Sequence, residues 1–118
     1  MRPHERLDVW KKSIDLSTSI YSNTEKFPKR EWYGLSQQVR KASVSIPSNI
    51  AEGSARNSPI EFSYFLSVAQ GSSSEVATQL LIATRLGYID KQTYVTFYRD
   101  TEQIGRMISG LRKSIHKK

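Results

Sequence analysis

The sequence predicts an all-α chain folded as an up-down-up-down antiparallel four-helix bundle, with a proline-bent second helix. Three observations carry that prediction. Apolar residues recur at alternating steps of three and four along four segments, which puts them on one face of an α-helix in each. Start and stop residues punctuate the gaps between those segments: Phe27-Pro28-Lys29-Arg30, Gly53 to Pro59, and Gly87 to Asp90. The gaps are short, no stretch reads as a credible strand, and short loops join helices that lie antiparallel as neighbours. Residues 1–118 therefore read as a single domain, long enough to bury a core without disulfides or metal.

The first helix is expected from about Arg6 to Glu25. Leu7, Trp10, Ile14 and Tyr21 lie on one stripe, and Val9, Leu16 and Ile20 widen it. Ser13, Ser17, Thr18, Ser19 and Ser22 are mediocre helix formers, so packing must hold this segment. Phe27-Pro28 breaks it, because a residue before proline is biased out of the α region. The second helix resumes near Glu31 or Trp32 and buries Leu35, Val39, Ala42, Ile46 and Ile50. Pro47 lacks an N–H and crowds the Ser43 carbonyl, a loss of roughly 3 kcal/mol in an isolated helix that only tertiary packing can offset. Gly53 is expected to end this helix as a left-handed residue.

Ser58, Pro59 and Glu61 give the third helix a cap, a proline suited to the first turn, and capping-box spacing. Phe62, Phe65, Ala69, Val76, Leu80 and Ala83 then follow the helical period, extended by Leu66 and Leu81. The cluster Gly71-Ser72-Ser73-Ser74 invites a loop, but the apolar phase is kept across it. Helix is the better reading, with small residues admitting another backbone. Gly87 ends this helix and Asp90 caps the fourth, whose seam is Tyr94, Phe97, Thr101, Ile104, Ile108, Leu111 and Ile115.

Composition narrows the function. Eighteen Lys and Arg against eleven Asp and Glu give a net charge of +7, which favours polyanionic partners and is also common on small proteins. Residues 106–118 carry Arg106, Arg112, Lys113, Lys117 and Lys118 with no acid, residues 26–41 are similarly basic, and residues 42–84 are slightly acidic. Lys11, Lys12, Lys29, Arg30, Lys41, Arg112, Lys113, Lys117 and Lys118 are the candidates for phosphate contacts, which bring affinity and steep salt dependence without base reading. Lys11 and Lys12 are expected to project away from the core. Trp32, Tyr33 and Tyr88 have the chemistry to stack on unpaired bases, although covering the bundle ends is the simpler expectation. No helix-turn-helix, zinc finger or RNA-recognition signature is present.

Catalytic constellations are missing from the sequence. There is no cysteine, His4 and His116 lie at opposite ends of the chain, and no glycine-rich phosphate loop or nucleophile elbow occurs. The expectation is a protein that is not an enzyme and takes no metal and no cofactor. Without an apolar leader or a long apolar span, it is expected to be soluble and cytoplasmic, with no membrane partner. Arg40, Asn49 and Glu75 fall close to apolar faces. A buried charge needs a partner, so Arg40 is predicted to pair with Glu75 across the second and third helices, and Glu52 with Arg56.

The runs QQVRKASVSIPSNIAEGSAR (residues 37–56) and FSYFLSVAQGSSSEVATQL (residues 62–80) resemble the four-helix-bundle proteins encoded within intervening sequences of bacterial 23S ribosomal RNA genes. The similarity runs from LDVWKKSIDL through the fourth helix. It implies a four-helix bundle assembled as a homopentamer around a central channel. Related accessory proteins of diversity-generating retroelements are similar pentamers that bind nucleic acid and a reverse transcriptase. Carried onto this chain, the matching positions include Arg40, Pro47, Asn49, Glu52, Gly53, Gly71 and Glu75, and they look structural. The resulting expectation is a non-enzymatic homo-oligomer that binds RNA or DNA through its basic surface. The alternative is a scaffold that recruits a protein partner such as a reverse transcriptase.

Overall fold

The computed structural model describes residues 1–116. Its helices are α1 (Asp8–Thr24), α2 (Leu35–Ser54), α3 (Pro59–Arg85) and α4 (Lys91–His116), with 3-10 turns at Pro3–Arg6 and Lys29–Glu31. No strand occurs among the described residues. Late residues of one helix meet early residues of the next: Thr24 meets Arg40 across α1 and α2, Gly53 lies against Phe62 and Phe65 across α2 and α3, and early Ser63 of α3 meets late Arg112 of α4. The helices thus run up-down-up-down in a body 47 × 22 × 22 Å. α2 and α3 share the most extensive interface, and α1 meets α4 over the shortest stretch.

Local chemistry sets the ends of α3 and α4. The Ser58 hydroxyl accepts the Glu61 N–H at 3.3 Å, and Pro59 occupies the first turn, where a missing N–H costs nothing. At the other end Gly87 adopts a φ of +83°. Its N–H donates to the Thr84 carbonyl, and the Tyr88 N–H reaches back to the Ala83 carbonyl at 2.9 Å, a complete Schellman stop. Asp90 then caps α4 by accepting the Thr93 N–H at 2.7 Å. Between these ends α3 is continuous through Gly71-Ser72-Ser73-Ser74, as the apolar phase required. Ser72 and Ser73 are buried: the Ser72 hydroxyl meets that of Ser45 at 2.8 Å, and Ser73 donates to the Thr101 carbonyl at 3.3 Å. Gly71, by contrast, faces open space and serves no internal contact.

α2 is likewise unbroken through Pro47, whose ring is buried. Ile46 and Ile50 near it, and Val39 two turns earlier, are fully enclosed, each contributing about 1.5 to 3 kcal/mol of burial against the lost backbone bond. Gly53 corrects the sequence reading. It lies inside α2, which ends at Ser54, and its φ is not positive. A Cβ on it would sit 2.7 Å from the Phe65 Cβ and 2.9 Å from Phe62 Cδ1. Glycine is needed there because α3 passes too close for any side chain.

The facing of α1 also differs from expectation. Val9, Leu16 and Ile20 point into the core with Ser13, Ser17 and Thr24, while Leu7 and Trp10 pack at its edge. Ile14 and Tyr21 remain 37% and 42% exposed. Hydropathy underrates the inner face because it counts those hydroxyls as polar. Ser13 donates to the Trp10 carbonyl at 2.8 Å, Thr24 to the Ile20 carbonyl at 2.8 Å, and Ser17 meets Ser43, so none carries an unsatisfied group inward.

Candidate nucleic-acid interface

The candidate cations do not form one patch. Lys12 carries its Nζ to 3.2 Å from Asp100 Oδ1 in a partly buried pair, so it ties α1 to α4 instead of projecting outward. Lys11 beside it is exposed. Arg112 is half-buried and donates from Nε to the Ser63 hydroxyl at 3.2 Å, with His116 Nε2 3.0 Å from the same oxygen. These contacts pin the last turns of α4 to the first of α3. Lys113 is exposed along a groove of about 610 Å³ between α3 and α4. Lys117 and Lys118 lie outside the described residues.

Lys29, Arg30 and Lys41 lie toward the opposite end of the bundle, where the α1–α2 connection meets the α3–α4 loop. The Lys29 ammonium stands 5.8 Å from the centre of the Trp32 ring, and the Arg30 guanidinium 5.9 Å from that of Tyr88. Lys41 is exposed and shares with Trp32 and Arg40 a groove of about 530 Å³ on the outside of α1 and α2. Tyr88 covers this end of the bundle as expected, half-buried with its ring 5.4 Å from Phe27. Trp32 and Tyr33 do not cover it, being 53% and 90% exposed.

Arg40 and Glu75 do not pair. Arg40 turns toward α1, donating from Nε to the Thr24 hydroxyl at 2.7 Å and from its terminal nitrogen to the Tyr21 carbonyl at 3.1 Å, with the Tyr21 ring 4.7 Å away. A helix C-terminus offers carbonyl oxygens and negative dipole, so this arginine is satisfied without a carboxylate. Glu75 is exposed on α3. Asn49 bonds within its own helix, to the carbonyl and hydroxyl of Ser45. The Glu52–Arg56 pair forms at 2.8 Å, as predicted.

Sequence reasoning missed the clasp that fixes the α1–α2 connection. Glu31 Oε1 accepts the Leu35 N–H at 3.1 Å, doing the work of an N-cap from four residues upstream, while Tyr88 donates its hydroxyl to Oε2 at 2.9 Å. The one signal was a carboxylate just ahead of a helix that starts without Ser, Thr, Asp or Asn at its cap. These two donors, the Leu35 N–H first, hold the Glu31 carboxyl below the usual carboxylate range. A lowered folded pKa supplies stability above the unfolded value that fades as pH falls through the folded one. Chemical denaturation of wild type and Glu31→Gln should therefore differ near neutrality and converge in acid.

These features define a small all-helical bundle whose polar contacts stay within a helix or join and cap helices, and whose unpaired cations are spread over its two ends and the outer side of α2. Among the described residues no group of three or more His, Asp or Glu is placed to hold a metal ion, and no helix is long and apolar enough to cross a membrane. The chain belongs to the family of 23S rRNA-intervening sequence proteins, whose family model matches residues 5–110. In fold it is similar to a crystal structure of a protein of unknown function from the S23 ribosomal protein family of Bacteroides thetaiotaomicron. That likeness has a TM-score of 0.80 and 23% identity, covering 89% of this chain and 98% of that one. No curated protein matches the chain.

Proposed function

We propose that this chain is a non-enzymatic, homo-oligomeric protein that holds RNA or DNA by contacts indifferent to base sequence. The observation that carries the reading is an excess of cations left without carboxylate partners. Among the described residues Lys11, Lys29, Arg30, Lys41 and Lys113 have no acid within 4.0 Å, on a chain of net charge +7. Such residues attract phosphate without reading bases. Support for self-association comes from the outward side of α3, where Ile60, Tyr64 and Ile82, with Leu86 just past its end, are exposed and charge is sparse. The same face favours a second reading, an adaptor that recruits a protein partner such as a reverse transcriptase.

Native mass measurement with and without nuclease tests both halves, since it reports subunit number and bound nucleic acid together. Retardation of a mixed-sequence single-stranded RNA or DNA should weaken about fifty-fold between roughly 50 and 200 mM salt if about four phosphates are neutralised, and that of a duplex about 150-fold. Salt-independent retardation, or none, would reject the basic-surface reading. A monomer that co-purifies with one protein after nuclease treatment would select the adaptor.

A further inference from the structure

We infer that the end of the bundle formed by the α1–α2 connection is a platform for single-stranded nucleic acid, with Trp32 and Tyr33 stacking on unpaired bases beside Lys29, Arg30 and Lys41. The inference rests on the nucleic-acid reading above and narrows it to unpaired nucleotides.

Two aromatic residues consecutive in sequence, Trp32 and Tyr33, exposed to 53% and 90%, are the starting point. Neither has a core position to fill, although a tryptophan left in water forgoes a large burial gain. Nor is their segment loose. The Trp32 N–H donates to the Lys29 carbonyl at 3.0 Å and the Gly34 N–H to the Glu31 carbonyl at 3.0 Å. Glu31 is itself bonded to the Leu35 N–H and the Tyr88 hydroxyl, which anchors the turn to α2 on one side and the α3–α4 loop on the other. The rings are thus presented on a braced turn, which lowers the ordering cost of binding.

Charge indicates what the rings meet. Lys29 stands 5.8 Å from the Trp32 ring centre, and the groove that begins at Trp32 continues along α2 past Arg40 and Lys41. Arg40 is occupied by Thr24 and Tyr21, so Lys41 is the cation of that groove available to a phosphate. Stacking surfaces alternating with cations suit a chain of bases and phosphates better than an apolar protein surface. Duplex bases already stack on one another and cannot open onto such rings, so the arrangement selects single strands.

The test is equilibrium binding of an oligonucleotide of about 16 nucleotides, single-stranded or as a blunt duplex, at one salt concentration. Tryptophan emission is recorded for wild type and for Trp32→Phe. The single strand is expected to bind about tenfold tighter than the duplex and to quench a signal that Trp32→Phe loses. Trp32→Ala with Tyr33→Ala should weaken single-strand binding about tenfold or more while keeping its salt slope and the helical circular dichroism. Lys29→Gln with Lys41→Gln should instead flatten that slope. Equal affinity for both nucleic acids, or an aromatic double variant that binds like wild type, would overturn the platform and leave the basic-surface reading standing. Failure of both nucleic acids to bind would overturn the platform and the basic-surface reading together. A double variant that changes subunit number would make the rings a contact between copies and also overturn the platform.

Discussion

Replacing Gly53 by valine lowers the stability of the bundle by about 3 kcal/mol, at the upper end of what forced overpacking costs. The new side chain has nowhere to go. Its Cβ alone would lie 2.7 Å from the Phe65 Cβ and 3.3 Å from the Phe62 carbonyl oxygen, atoms that move only if α3 moves. Thermal denaturation followed by circular dichroism should show Tm falling by about 10 °C. Gly53→Ala should lose less, because alanine regains about 1 kcal/mol of helix propensity against the same approach. A valine variant as stable as wild type would mean that α2 and α3 separate readily, contrary to the contact described.

The second large effect distinguishes the two sides of α1. Ile20→Ala empties a site with no solvent exposure and should cost about 3 to 4 kcal/mol, whereas Ile14→Ala, on a side chain 37% exposed, should cost under about 1 kcal/mol. Urea denaturation of the pair measures both. Comparable losses at the two positions would mean that the helix is rotated about its axis.

Those two residues also show where sequence stops informing structure. The seam of α4, the Ser58 cap and the Gly87 stop were legible because each depends on residues within a few positions of itself. The inward side of α1 was not, because Ser13, Ser17 and Thr24 are admitted to the core by hydrogen bonds that hydropathy does not count. Gly53 was misread for a similar reason. Its role is set by Phe62 and Phe65 on another helix, while a glycine near a helix end suggests a stop. Charge logic alone matched Arg40 with a carboxylate, yet the acceptors it found were a hydroxyl and a backbone carbonyl. At the candidate interface, the cationic residue types were visible in the sequence. Their separation to opposite ends, the use of Lys12 and Arg112 as internal ties, and the exposure of Trp32 and Tyr33 required the fold.

Among the described residues, Lys12 with Asp100 is the one ion pair joining two helices; the other pairs lie within a helix or around the α2–α3 loop. Cohesion between helices therefore comes almost wholly from hydrocarbon and hydroxyl contacts, which mobile ions scarcely screen, while attraction for a polyanion is screened within about 10 Å at ordinary ionic strength. If the proposed surface holds a polyanion, concentrated electrolyte should strip it from a bundle that stays intact, so that such capture and release would be reversible without refolding.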